Sequence, residues 1–98
     1  MIVYHGSINT IEKPIVSAGR DNLDFGKGFY ITDIREQSET WASRLAERKD
    51  AVAIVNVYDI DLEYSLAELA KHQPNNQFCI TNQNLIEECL TFKESIQC

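Results

Sequence analysis

Residues 24–33 read Asp24-Phe25-Gly26-Lys27-Gly28-Phe29-Tyr30-Ile31-Thr32-Asp33. Two glycines bracket a lysine, and the β-branched and aromatic run Gly28–Thr32 that follows predicts a strand. Asp33 stands three residues before Glu36, which is capping-box spacing for a helix start. The helix predicted over 34–48 carries Ile34, Trp41, Ala42 and Leu45 at helical spacing on its inner face. Loop, strand and helix thus follow one another within a short span. The Gly-x-Gly pair leads into a strand rather than out of one and lacks a third glycine, which excludes a dinucleotide fingerprint. Gly28 is followed by Phe29, so the segment is no phosphate-cradling Walker loop either.

The rest of the chain fits around this unit. Met1–His5 is β-branched and aromatic and predicts a strand ending at Gly6. Residues 8–27 predict a long ordered loop, with Pro14 and Gly19 as breakers and Ile11, Ile15 and Val16 as anchors. Val52–Tyr58 is almost continuously apolar, the mark of a buried central strand. Asp61 is placed to cap a helix over about 62–71 with Leu62, Leu66, Leu69 and Ala70 inward. Pro74-Asn75-Asn76 predicts a turn, and Gln77–Ile80 a short strand. Thr81 or Asn82 then caps a final helix through Leu85, Ile86, Cys89 and Leu90, and residues 91–96 form an edge strand. The order implies one α+β domain over 1–98.

Composition narrows the function classes. The chain has 98 residues, 44% hydrophobic and 24% charged, which is an ordinary globular balance. A net charge of −6 opposes wrapping by a phosphate backbone but leaves room for a local nucleotide pocket. Cys79, Cys89 and Cys98 are odd in number and lack metal-ligand spacing, so reduced thiols are expected. Met1 leads directly into Ile2-Val3-Tyr4 with neither a basic leader nor a long apolar stretch, and the expectation is a cytoplasmic protein.

Two segments carry chemistry. Tyr4-His5-Gly6-Ser7 puts an imidazole, a bare stretch of backbone and a hydroxyl at the end of a strand. In Phe25–Tyr30 a bendable loop precedes Tyr30, whose ring offers a stacking face. Each has an ordinary structural reading: a strand-end histidine, and a tight turn before a core strand in which Phe29 and Tyr30 are simply buried. His72 reads as a helix-end residue, Trp41 as core, and Lys27 and Arg20 as loop cations.

Taken together, His5-Gly6-Ser7, Phe25-Gly26-Lys27-Gly28-Phe29-Tyr30-Ile31-Thr32-Asp33 and a helix with Ser38 and Trp41-Ala42 resemble the ADP-ribosyltransferase superfamily. The likeness is to its poly(ADP-ribose) polymerase-like branch with a His–Tyr–Glu-type triad, and most to a family of small uncharacterised bacterial proteins within it. It covers residues 2–60 and about 66–93. The resemblance implies a split β-sheet with flanking helices and NAD as substrate. His5 would hydrogen-bond the adenine-side ribose, the Gly6 backbone and Ser7 the nicotinamide amide, with Gly28 also at the cofactor. Tyr30 would stack on the nicotinamide ring, and Gln77 would occupy the third triad position, making Tyr30 and Gln77 the catalytic pair.

The sequence departs from that pattern in two places. Gln77 stands where the branch often has Glu, and a carboxamide keeps hydrogen bonds but is no general base. Asp59–Ser65 directly bridges a gap that the relatives fill with further strands and helices, so the sheet is trimmed in the middle. Two functional readings follow: a toxin-like mono-ADP-ribosyltransferase acting on a protein or nucleic-acid acceptor and paired with a small antitoxin-like protein, or a degenerate module that binds NAD, ADP-ribose or a protein partner without turnover. A ligand-free structural protein is the plain alternative.

Overall fold

The computed structural model describes residues 1–15, 29–61, 70–72, 77–80 and 83–98. Among the described residues six strands form one antiparallel sheet: β1 (Ile2–Ser7), β2 (Phe29–Thr32), β3 (Ile54–Ile60), β4 (Ala70–His72), β5 (Gln77–Ile80) and β6 (Leu90–Gln97). Their spatial order is β4-β5-β2-β1-β3-β6. Among the described residues two helices accompany them, α1 (Arg35–Lys49) and α2 (Gln83–Cys89).

Strand alternation divides the molecule into two sides. On one side Val3, Phe29, Ile31, Tyr58, Ile60 and Ile80 pack with Ile86 and Cys89 of α2 into the main core. Each such aliphatic burial contributes about 1.5–3 kcal/mol. On the other side α1 lies across β1, β2 and β3. Its buried residues are Ser38, Ala42 and Ala46, one per turn. Of the expected inner face, Ala42 is buried, but the rest is corrected: Ile34 is exposed, and Trp41 and Leu45 are half-buried. Small side chains face the sheet because the helix backbone comes down onto Gly6 of β1.

The start of α1 also differs from the sequence expectation. The cap position is Ile34, which has no side-chain cap, so Asp33 and Glu36 do not form a capping box. Thr32 takes over: its Oγ1 accepts from the Ile34 N–H (3.1 Å) and donates to Gln37 Oε1 (2.7 Å). Thr32 is fully buried, so this hydroxyl is fixed and competes with no water. Thr32→Val is expected to cost about 1 kcal/mol, as loss of a helix cap does. Asp33→Ala is expected to stay within about 0.5 kcal/mol. Denaturant midpoints of the two variants check the assignment; equal losses would return the cap to Asp33. At the other end Asp50 takes the left-handed conformation (φ 51°) and its N–H closes on the Ala46 carbonyl.

Several other expectations are met or corrected. β1 runs through Gly6 to Ser7 instead of ending at Gly6. β5 and the edge strand β6 lie where the pattern put them, β3 is displaced by two residues to Ile54–Ile60, and α2 contains Ile86 and Cys89 while Leu90 opens β6. Ala70 and Lys71, assigned to a helix end by periodicity, are in β4, where they pair with Cys79 and Phe78. An edge partner for β5 outweighs their local helix preference. Residues 62–69, which hold the rest of that predicted helix, lie outside the described residues. So do the turn at 74–76, the caps at 81 and 82, Gly28, Lys27, Arg20 and most of the long loop. Among the described residues, no helix is long and apolar enough to cross a membrane.

Candidate functional site

β1 and β2 meet in a way unlike the other strand pairs. β1 pairs with β3 over six residues and β2 with β5 over four, whereas β1 and β2 share a single pair, Tyr4 opposite Thr32. Beyond that pair the interstrand contact is made by a side chain. His5 Nδ1 donates to the Tyr30 carbonyl at 2.6 Å. Since a carbonyl only accepts, Nδ1 carries a proton. The imidazole also stacks on Phe29, with ring centroids 4.2 Å apart and planes 28° from parallel. Phe29 meets Tyr58 edge-on at 5.6 Å, and Tyr58 meets Phe92 at 5.8 Å. Aromatic edges and faces thus run from His5 across the sheet to β6.

The two histidine- and tyrosine-bearing segments therefore adjoin, but not as a simple shared pocket requires. Phe29 lies on the His5 side of the sheet, so alternation along β2 turns Tyr30 to the side where α1 lies. A single wall lined by both imidazole and phenol is not formed. Gly6 shares the Tyr30 side. A Cβ on Gly6 would run into the backbone carbonyl of Ser38 and come within 2.9 Å of the Ala42 nitrogen. The first demand on this glycine is thus the approach of a helix. Tyr30 is only 6% exposed.

Ser7 is 7% exposed, and its Oγ accepts from the Asn9 N–H at 3.3 Å, which commits the hydroxyl to a turn. Gln77 opens β5 opposite Thr32, and Thr32 stands opposite Tyr4. The Gln77 backbone is therefore two interstrand spacings, roughly 9–10 Å, from β1. His72, expected at a helix end, pairs with Gln77 in β4. Gly28 falls outside the described residues.

Three participants were not anticipated as such: Phe29, which supports the His5 ring, and Asn56 and Tyr58 of β3. Asn56 is fully buried and stands directly across from His5. The signal was present, because a carboxamide inside the apolar run Val52–Tyr58 needs buried partners. Tyr58 donates its hydroxyl to the Ile11 carbonyl at 2.6 Å, and burial holds its phenol far above the usual tyrosine range. Burial first, then the charges of Asp61 and Glu88, push the Cys89 thiol up, which makes it a core group and a poor nucleophile. Among the described residues, no three His, Cys, Asp or Glu side chains gather as a metal site requires.

These features define a small antiparallel α+β domain whose sheet narrows to one pair between its central strands, with a histidine bridging the gap. Residues 1–67 match the family described as "Protein of unknown function (DUF3990)", and the chain belongs to that family. No curated protein and no solved structure matches it.

Proposed function

We propose that this chain is an ADP-ribosyltransferase-like domain that binds NAD where β1 and β2 part, and that it transfers ADP-ribose from NAD to a macromolecular acceptor. The observation that carries this reading is the junction itself: His5-Gly6-Ser7 and Phe29-Tyr30 lie on adjacent central strands, tied by the 2.6 Å bond from His5 to the Tyr30 carbonyl. The single-pair contact between β1 and β2 supports a split sheet. Because imidazole and phenol face opposite sides and α1 packs on Gly6, the shared nicotinamide pocket that the resemblance implies does not form, and NAD is assigned to the His5 side alone.

In the reaction the bond between the ribose C1 and nicotinamide breaks, an oxocarbenium-like centre forms, and the acceptor nucleophile attacks it. The domain's contribution is orientation of the leaving group and ribose, not acid–base chemistry. Gln77 carries a carboxamide, which hydrogen-bonds but cannot act as a base. That absence of a carboxylate favours a second reading, a module that binds NAD or ADP-ribose without turnover. A toxin-like role with a small antitoxin-like partner belongs to the first reading.

Incubation with NAD labelled in the adenylate half separates the two. Transfer predicts label on protein or nucleic acid together with free nicotinamide. Saturable binding with no nicotinamide released would leave the sensing module.

A further inference from the structure

Side chains from three elements hold the segment after β1. The Asn9 N–H donates to Ser7 Oγ (3.3 Å), and Asn56 Nδ2 donates to the Asn9 carbonyl (3.0 Å). The Ile11 N–H donates to Asn56 Oδ1 (2.9 Å), while the Tyr58 hydroxyl donates to the Ile11 carbonyl (2.6 Å). Further along, Gln83 Nε2 donates to the Pro14 carbonyl (3.0 Å).

The two Asn56 bonds have a particular form. Donating to the carbonyl of residue 9 and accepting from the N–H of residue 11 is what one residue of a parallel strand does for its neighbour. The carboxamide thus stands in for a strand residue opposite Thr10. Aspartate of the same length lacks the donor at neutral pH, and leucine lacks both groups. A buried, half-satisfied amide costs about 1–3 kcal/mol. Between Val55 and Val57 an apolar residue would serve packing equally well, so packing does not account for the carboxamide. Its position does: Asn56 faces His5 across the β1–β3 ladder, while Phe29 stacks against that ring from β2.

We infer that Asn56 is a positioning residue that fixes residues 9–11, with the exposed side chains of Asn9 and Thr10, as the wall beside His5 against which the ligand lies. The ligand's identity as NAD rests on the function proposed above; the wall does not.

The test is Asn56→Leu with three readouts: amide exchange at Ile11, the His5 ring signals by NMR, and the dissociation constant for NAD by calorimetry. Ile11 exchange and the dissociation constant are each expected to rise about tenfold, and the His5 signals to move, as for loss of an ordering hydrogen bond. Thr40→Ala, which removes only an exposed bond to the Glu36 carbonyl on α1 (3.0 Å), is expected to leave all three unchanged. Val3→Ala lowers stability from within the core and is expected to leave the dissociation constant unchanged. If Asn56→Leu does not fold, Tyr58→Phe keeps the ring, loses only the hydroxyl on Ile11, and is expected to shift all three in the same direction. Unchanged Ile11 exchange and His5 signals in a folded variant overturn the inference. So does a loosened Ile11 with unaltered NAD affinity. If the wild type binds no NAD, the NAD reading fails, and exchange with the His5 signals still decides the role of Asn56.

Discussion

Gly6→Ala is expected to destabilise the fold by about 3 kcal/mol, the upper part of the usual overpacking range. The added methyl would meet backbone, the Ser38 carbonyl and the Ala42 nitrogen, so no rotamer change makes room. The helix has to rise off the sheet, and the buried stripe Ser38, Ala42 and Ala46 rises with it. For a chain of 98 residues, with a total stability of roughly 5–15 kcal/mol, that is a large share. Shortening the opposing side chains, as in Ser38→Ala or Ala42→Gly, is expected to give no rescue, because the obstructing atoms are main chain. Chemical denaturation of the single and double variants checks this. A near-neutral Gly6→Ala would mean that α1 does not sit on β1 as described.

Phe29→Ala is expected to cost about 3–5 kcal/mol, the usual range for emptying an aromatic core position. Phe29 is buried at the centre of the main core and touches Tyr58 edge-on. It is also the stacking partner of His5, so the substitution has a second consequence. Phe29→Leu keeps most of the apolar volume and should cost about 1 kcal/mol, yet it removes the flat face under the imidazole. The His5 ring signals, shifted upfield by the Phe29 ring current in the native protein, are expected to move downfield in Phe29→Leu. Unmoved His5 signals in a folded Phe29→Leu protein would show that the two rings do not stack in solution.

Much of this architecture was legible in local pattern. The runs at 2–5 and 29–32 and the segments at 77–80 and 91–96 lie in strands, and the apolar run 52–58 overlaps β3, which begins two residues later at Ile54. What local pattern could not carry was set by partners far away in sequence. Trp41 and Leu45 have the spacing of an inner face, but the bare backbone at Gly6 selected the small residues Ser38, Ala42 and Ala46 instead. Thr32 rather than Asp33 braces the start of α1, because β2 holds its hydroxyl buried beside the first turn. Ala70 and Lys71 joined the sheet because the edge of β5 offered pairing.

The candidate site shows the same division. His5, Gly6, Ser7 and Tyr30 stood out by residue type, and the fold does bring their strands together. Their facing did not follow from residue type, because a one-residue change of register exchanges the two sides of a strand. Only the pairing of Tyr4 with Thr32, and the stack of His5 on Phe29, put imidazole and phenol on opposite sides. Asn56 was visible as a polar residue in an apolar strand, but its partners lie more than forty positions away, at Asn9 and Ile11.

The central claim is that NAD binds where β1 and β2 part, and calorimetric titration with NAD tests it most directly. The wild type is compared with a His5→Ala, Tyr30→Ala double variant shown to be folded. The expected result is saturable one-to-one binding by the wild type that is lost in the variant. A folded wild type that takes up no heat up to about millimolar NAD, an affinity worth only about 4 kcal/mol, would contradict it, as would equal binding by both proteins.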